Sequence, residues 1–130
     1  MVKRVLVAED EPNIVESLSF LLNRAGFEVE VEANGRNVLG AIHSLSPDVL
    51  ILDVMLPGLD GYEILRQLRA DERTAELPVL MLTAKGQRED RKTAFECGAD
   101  LFITKPFANS EIVTAVETLA EGRPQKSEVT

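Results

Sequence analysis

Apolar residues follow two spacings along the chain, and the spacings alternate. Short runs rich in Val, Ile and Leu lie at residues 5–8, 29–31, 49–52, 79–82 and 101–103, each too short for a helix and suited to a strand. Between them the apolar positions fall three or four apart. Ile14, Leu18, Leu21, Leu22 and Ala25 form one helical stripe, opened by Pro12 in a first-turn position and closed by Gly26. Val38, Leu39, Ile42 and Leu45 form a second, stopped before Pro47, and Tyr62, Leu65 and Leu68 form a third after the turn residues Gly58 and Gly61. The last stripe is Ile112, Val116 and Leu119, with Asn109 or Ser110 expected at its N-cap. Residues 87–97 are the odd helix. They offer only Ala94, Phe95 and Cys97 to a core, among Arg88, Glu89, Asp90, Arg91, Lys92 and Glu96, so this element has weak tertiary support and is the one most easily shifted.

Regular strand–helix alternation is the pattern of an α/β fold with a parallel sheet covered on both faces. Residues 49–52 and 79–82 are apolar without a break, as central strands are, whereas Glu28, Val29, Glu30, Val31 and Glu32 alternate strictly and predict an edge. Parallel strands joined by right-handed crossovers present their C-terminal ends along one side of the sheet, where ligands bind. Glu9, Asp10 and Glu11 follow the first strand, Asp53 the third, Thr83 the fourth, and Lys105 with Pro106 the fifth. The edge strand is expected to bring only Ala33 and Asn34.

Fourteen Lys and Arg against 22 Asp and Glu give a net charge of −8 over 130 residues, which argues for one domain and against a nucleic-acid surface. A single cysteine, Cys97, has no partner for a disulfide or a shared metal and fits a reducing compartment. The N-terminal residues lack a signal-peptide pattern and no apolar run approaches the ~20 residues of a membrane span. The expectation is a soluble, cytoplasmic domain over residues 1–121, with 122–130 a disordered tail or the start of a linker.

Asp53 stands at the end of an unbroken apolar run and is followed by more apolar residues, where an ionised carboxylate needs compensation. Glu9 and Asp10 at a neighbouring strand end would bring three carboxylates together, and one lysine cannot neutralise them. A hard divalent cation can, and Mg2+ commonly binds through one or two carboxylates, water and phosphate oxygens. The backbone carbonyl of Met55 is a further candidate oxygen. With a phosphoryl group present, Asp53 becomes a nucleophile, Mg2+ and Lys105 balance the oxygens, and Thr83 donates a hydroxyl hydrogen bond.

At these residues the sequence resembles the receiver domain of bacterial two-component response regulators. The matching stretches are VLVAEDEP from Val5, ILDVMLPGLDG from Ile51, VLMLTA from Val79 and GADLFITKPF from Gly98. The resemblance implies a doubly wound, flavodoxin-like (βα)5 sheet of order 2-1-3-4-5, in agreement with the edge assignment. It implies phosphotransfer to Asp53 from a histidine kinase or phosphotransfer protein, Mg2+ held by Glu9, Asp10, Asp53 and the Met55 carbonyl, and a cis bond before Pro106. It further implies a switch in which Thr83 moves toward the phosphoryl group and Phe102 swings inward, altering the face of the fourth helix, fifth strand and fifth helix. Phe102 replaces the tyrosine frequent at that position and lacks its hydroxyl.

That face is the expected contact for a downstream protein or effector domain, or for a homodimer. Arg91 and Glu111 match one ion pair of such a dimer, but Leu101 and Ala115 replace the other, leaving an apolar spot suited to another protein. Such a chain is no enzyme beyond its own phosphorylation and dephosphorylation. An aspartate-nucleophile phosphatase would need a second acid two residues after Asp53, where Met55 stands. A receiver-like binding module acting without phosphate is the alternative reading. His43, the lone histidine, has no evident partner in the sequence and is not expected to take part.

Overall fold

Val and Ile lose χ1 freedom in a helix but pack well on a pleated surface, and the short apolar runs that contain them become strands. The chain alternates β1 (Arg4–Ala8), α1 (Pro12–Arg24), β2 (Glu28–Glu32), α2 (Gly35–Leu45), β3 (Val49–Asp53), α3 (Gly61–Ala70), β4 (Val79–Thr83), α4 (Arg88–Cys97), β5 (Leu101–Thr104) and α5 (Asn109–Ala120). This is a computed structural model that describes residues 2–84 and 88–122, with the side chains of 88–90 left undescribed. Gln87, the expected first residue of α4, and residues 123–130 of the expected tail lie outside the described residues. The strands form one parallel sheet in the order β2-β1-β3-β4-β5. That is the doubly wound order expected, with the alternating strand at an edge.

Period-two geometry divides the apolar residues of each strand between two cores. Leu6, Leu50, Leu52 and Met81 face α2, α3 and α4, meeting Val38, Ile42, Ile64, Leu65, Leu68 and Ala94. Val5, Val7, Val49, Ile51, Leu80 and Leu82 face α1 and α5, meeting Leu18, Leu22, Ile112, Val116 and Leu119. Every residue of β3 and β4 is buried, as unbroken apolar strands require.

Among the described residues, capping chemistry sets the starts of α2 and α3 but not that of α5. The Asn34 side chain accepts from Arg36 N at 2.9 Å to start α2, and the Asp60 carboxylate accepts from Tyr62 N at 2.7 Å to start α3. Before Pro47, Ser46 ends α2 in the left-handed region, φ 48°. α5 departs from expectation: neither Asn109 nor Ser110 caps it, and Ala108 is the N-cap. Phe107, just before that cap, and Ile112, on the following turn, pack in the same core. This apolar staple fixes where the helix begins, and the Glu111 carboxylate accepts from Ala108 N at 3.4 Å. In β2 the alternation is imperfect, since Val31 is 44% exposed while Glu32 is half-buried. The Glu32 carboxylate is drawn to the start of α2, accepting from Asn34 N at 3.1 Å.

Candidate functional site

Glu9 follows β1 directly and is wholly buried. One of its oxygens, Oε2, accepts from the backbone N–H groups of Asp10 and Glu11, both at 3.0 Å. The other, Oε1, lies 2.8 Å from Lys105 Nζ. Asp53, the last residue of β3 and also buried, places Oδ2 3.3 Å from the same ammonium, while Oδ1 accepts from Met55 N at 3.1 Å. Asp10 is exposed at the rim, and one carboxylate oxygen from each of Glu9, Asp10 and Asp53 lies within 4.8 Å of the others. Among the described residues, three acids therefore meet one lysine.

Electrostatics follow from that count. Burial raises the Glu9 pKa above its ordinary value and the charge on Asp53 adds to it, while Lys105 and the Glu11 N–H pull partly back. Burial alone would lower Lys105, but Glu9 and Asp53 outweigh it and hold the ammonium above its usual value. Glu9 Oε1 is buried and takes no well-angled hydrogen bond, only the ion contact to Lys105. A buried oxygen with spare acceptor capacity, beside two further carboxylates and a solvent-facing rim, fits a small hard divalent cation.

Thr83 is buried at the end of β4, and its carbonyl accepts from Lys105 N at 2.7 Å, which ties the lysine's backbone to the neighbouring strand. The bond between Lys105 and Pro106 is cis. Met55 turns its side chain outward, 74% exposed, while its amide stays on Asp53. Phe102 is half-buried on β5; its ring lies 6.4 Å from that of Phe95 on α4, and the Arg91 guanidinium sits 5.8 Å over it. His43 is outside the cluster and does have a partner, Asp71 Oδ2 at 3.7 Å.

Two features escaped the sequence reading. The start of α2 touches the loop after Asp53: Gly35 N donates to Pro57 O at 2.7 Å and Arg36 Nε to Gly58 O at 3.4 Å. Gly61 lies so close to the acceptor strand that a Cβ there would come within 2.6 Å of Asp53 O and 2.9 Å of Val54 Cα. The turn-forming glycines were legible, but their neighbours depend on tertiary approach.

Among known proteins, the response regulator receiver domain family matches residues 5–117. The DNA-binding dual master transcriptional regulator RpaA of Synechocystis is 42% identical over 116 residues, covering 89% of this chain and 48% of RpaA. The chain thus spans about half the length of that curated relative. A response regulator from Chloroflexus aurantiacus is 37% identical, with a TM-score of 0.90 over 93% of this chain and 99% of that one. The signal receiver domain of a signal transduction histidine kinase from Syntrophus aciditrophicus is 33% identical, with a TM-score of 0.86 over 96% of each chain. Sheet order, strand-end acids and these likenesses agree, and the chain belongs to the response regulator receiver domain family, the phosphoacceptor module of two-component signalling.

Proposed function

We propose that Asp53 accepts a phosphoryl group from the phosphohistidine of a histidine kinase or phosphotransfer protein. The observation that carries this is one ammonium, Lys105 Nζ, bridging a buried glutamate and a buried aspartate at the strand ends. An Asp53 oxygen forms the bond to phosphorus as the P–N bond breaks, and the imidazole leaves with the electron pair and takes up a proton from water. Glu9, Asp10, Asp53 and the Met55 carbonyl would hold Mg2+, which when bound would supply positive charge beside the phosphoryl oxygens. Lys105 orients Asp53 and donates to a phosphoryl oxygen, and the Thr83 hydroxyl donates to another. Turning Thr83 toward the phosphoryl group opens space into which Phe102 moves, which shifts α4 and the face it forms with β5 and α5.

Residues 1–121 act as the folded unit in this reading, in the cytoplasm, with output through a downstream protein, an effector domain or a second copy on that face. Among the described residues no helix is long and apolar enough to cross a membrane. The net charge of −8 argues against a DNA-binding surface on this domain.

Intact mass after incubation with acetyl phosphate, with and without Mg2+, tests the proposal. A Mg2+-dependent gain of one phosphoryl that disappears in Asp53→Asn is expected. No gain in a folded protein that binds Mg2+ overturns it in favour of a phosphate-independent binding module.

A further inference from the structure

Residues 54–60, the loop that follows Asp53, are anchored at two kinds of place. Near the sheet, Val54 N donates to Leu82 O at 2.9 Å and Gly61 N returns to Val54 O at 3.1 Å. Away from the sheet, the loop rests on the first turn of α2. Gly35 N, one of the helix's otherwise orphan donors, donates to Pro57 O at 2.7 Å. A Cβ on Gly35 would press against the Leu59 carbonyl oxygen and come within 2.7 Å of Leu59 N and 3.0 Å of its carbonyl carbon. These are backbone atoms, so no rotamer change relieves the contact.

The approach is close from the loop side as well. Gly58 runs at φ +93°, and the Asn34 side chain packs where its Cβ would stand. Asn34 is itself held, its N–H on Glu32 Oε2 at 3.1 Å and its Oδ1 on Arg36 N. Met55 lies between the sheet anchor at Val54 and the α2 anchor at Pro57, and its amide is the donor to Asp53 Oδ1. A shift imposed at residues 57–59 has only one intervening residue over which to relax before it reaches Met55.

We propose that the first turn of α2, centred on Gly35, positions the Asp53–Met55 pair, and that Gly35 is a positioning residue for cation binding and phosphoryl acceptance. The proposal rests on the reading of Asp53 as phosphoacceptor and adds to it a support from the far edge of the sheet. Outer supports of this kind change metal affinity by about 10–100-fold when altered.

Gly40 in the same helix supplies the control, because a Cβ there meets nothing within 4 Å. Gly35→Ala, Gly40→Ala and a buried remote variant, Leu119→Ala, are compared with wild type by calorimetric Mg2+ titration, by NMR of the Met55 amide without metal, and by denaturant unfolding. Gly35→Ala is expected to move the Met55 amide resonance and weaken Mg2+ binding about tenfold or more. Gly40→Ala is expected to keep wild-type affinity, and Leu119→Ala to lose stability without losing affinity. Wild-type affinity and an unmoved Met55 amide in folded Gly35→Ala overturn the proposal, as does an equal loss of affinity in Leu119→Ala. Should Gly35→Ala fail to fold, Asn34→Ala decides: weakened Mg2+ binding in the folded protein sustains the proposal and unchanged binding overturns it. Acetyl phosphate labelling of wild type separates the two readings. A wild type that binds Mg2+ but takes no phosphoryl defeats the phosphoacceptor assignment, while the titration and the amide still judge the role of Gly35.

Discussion

The two ends of the sheet each bury an acid against a cation, and they balance the charge differently. At the N-terminal end Arg69 Nη2 meets Asp100 Oδ2 at 3.1 Å, and the remaining guanidinium donors reach Gly98 O at 3.0 Å, Ala75 O at 3.1 Å and Leu77 O at 2.7 Å. The same Asp100 oxygen accepts from Val79 N at 2.9 Å. Arg69 and Asp100 are thus paired, and the planar fork also donates to carbonyls from the turn before β4 and from Gly98, just past α4. At the C-terminal end Lys105 is set against Glu9 and Asp53, with Asp10 beside them. A buried charge pair tied to several backbone carbonyls holds elements together, whereas an excess of one sign held in place by the fold is an arrangement that suits a ligand.

Removing the cation from each end gives the largest effects. Arg69→Met takes the guanidinium away from buried Asp100, and urea unfolding should show a loss of about 3–5 kcal/mol. A loss below about 1 kcal/mol would deny the pair its structural role. Lys105→Met should cost less, because Glu9, already inclined to hold a proton, can neutralise itself, and saturating Mg2+ should restore the loss. Magnesium should do nothing for Arg69→Met. Restoration of both variants, or of neither, removes the distinction between the two ends.

Glu9→Gln should act in the opposite direction. A carboxyl whose native pKa lies above its unfolded value of about 4.5 binds its proton more tightly when folded. Its stabilising contribution is complete below that value and is lost as pH rises through the native pKa. Metal-free Glu9→Gln should therefore melt a few degrees above wild type at neutral pH, with the gap closing as pH falls toward 4.5. A gap that widens on acidification would mean that Lys105 overcompensates burial. The smallest effect belongs to Arg73→Ala. Arg73 bonds Asp71 and holds that carboxyl below its ordinary range, but Arg73 is largely exposed and solvent screens the pair, so the melting temperature should not change measurably.

Legibility differed with the distance over which a residue's role is set. Strands and most helix stripes could be read because spacing three or two residues apart is a local signal, and the glutamates of β2 identified an edge because only an edge tolerates them. The strand-end acids, Thr83 and Lys105 were legible once the sheet was parallel, since topology alone carries them to one side. The start of α5 was missed because packing of Phe107 and Ile112 into one core outweighed the capping preference of Asn109. The partner of His43 and the contact of Gly35 with Leu59 were missed for a related reason: each joins segments more than twenty residues apart, and neither residue type announces such a neighbour.

The acidic alternation of β2 also bears on how copies of this chain meet one another. An open parallel sheet leaves unpaired backbone groups along its outer strand, a template on which another chain can extend the sheet. Here that strand carries a glutamate at every second position, Glu28, Glu30 and Glu32. A second copy pairing through it would set ranks of like charge across the seam, which opposes the join. The protection is electrostatic and therefore conditional: in acid, or at high salt, the rim that keeps the sheet five strands wide becomes the place where fibrous aggregation would begin.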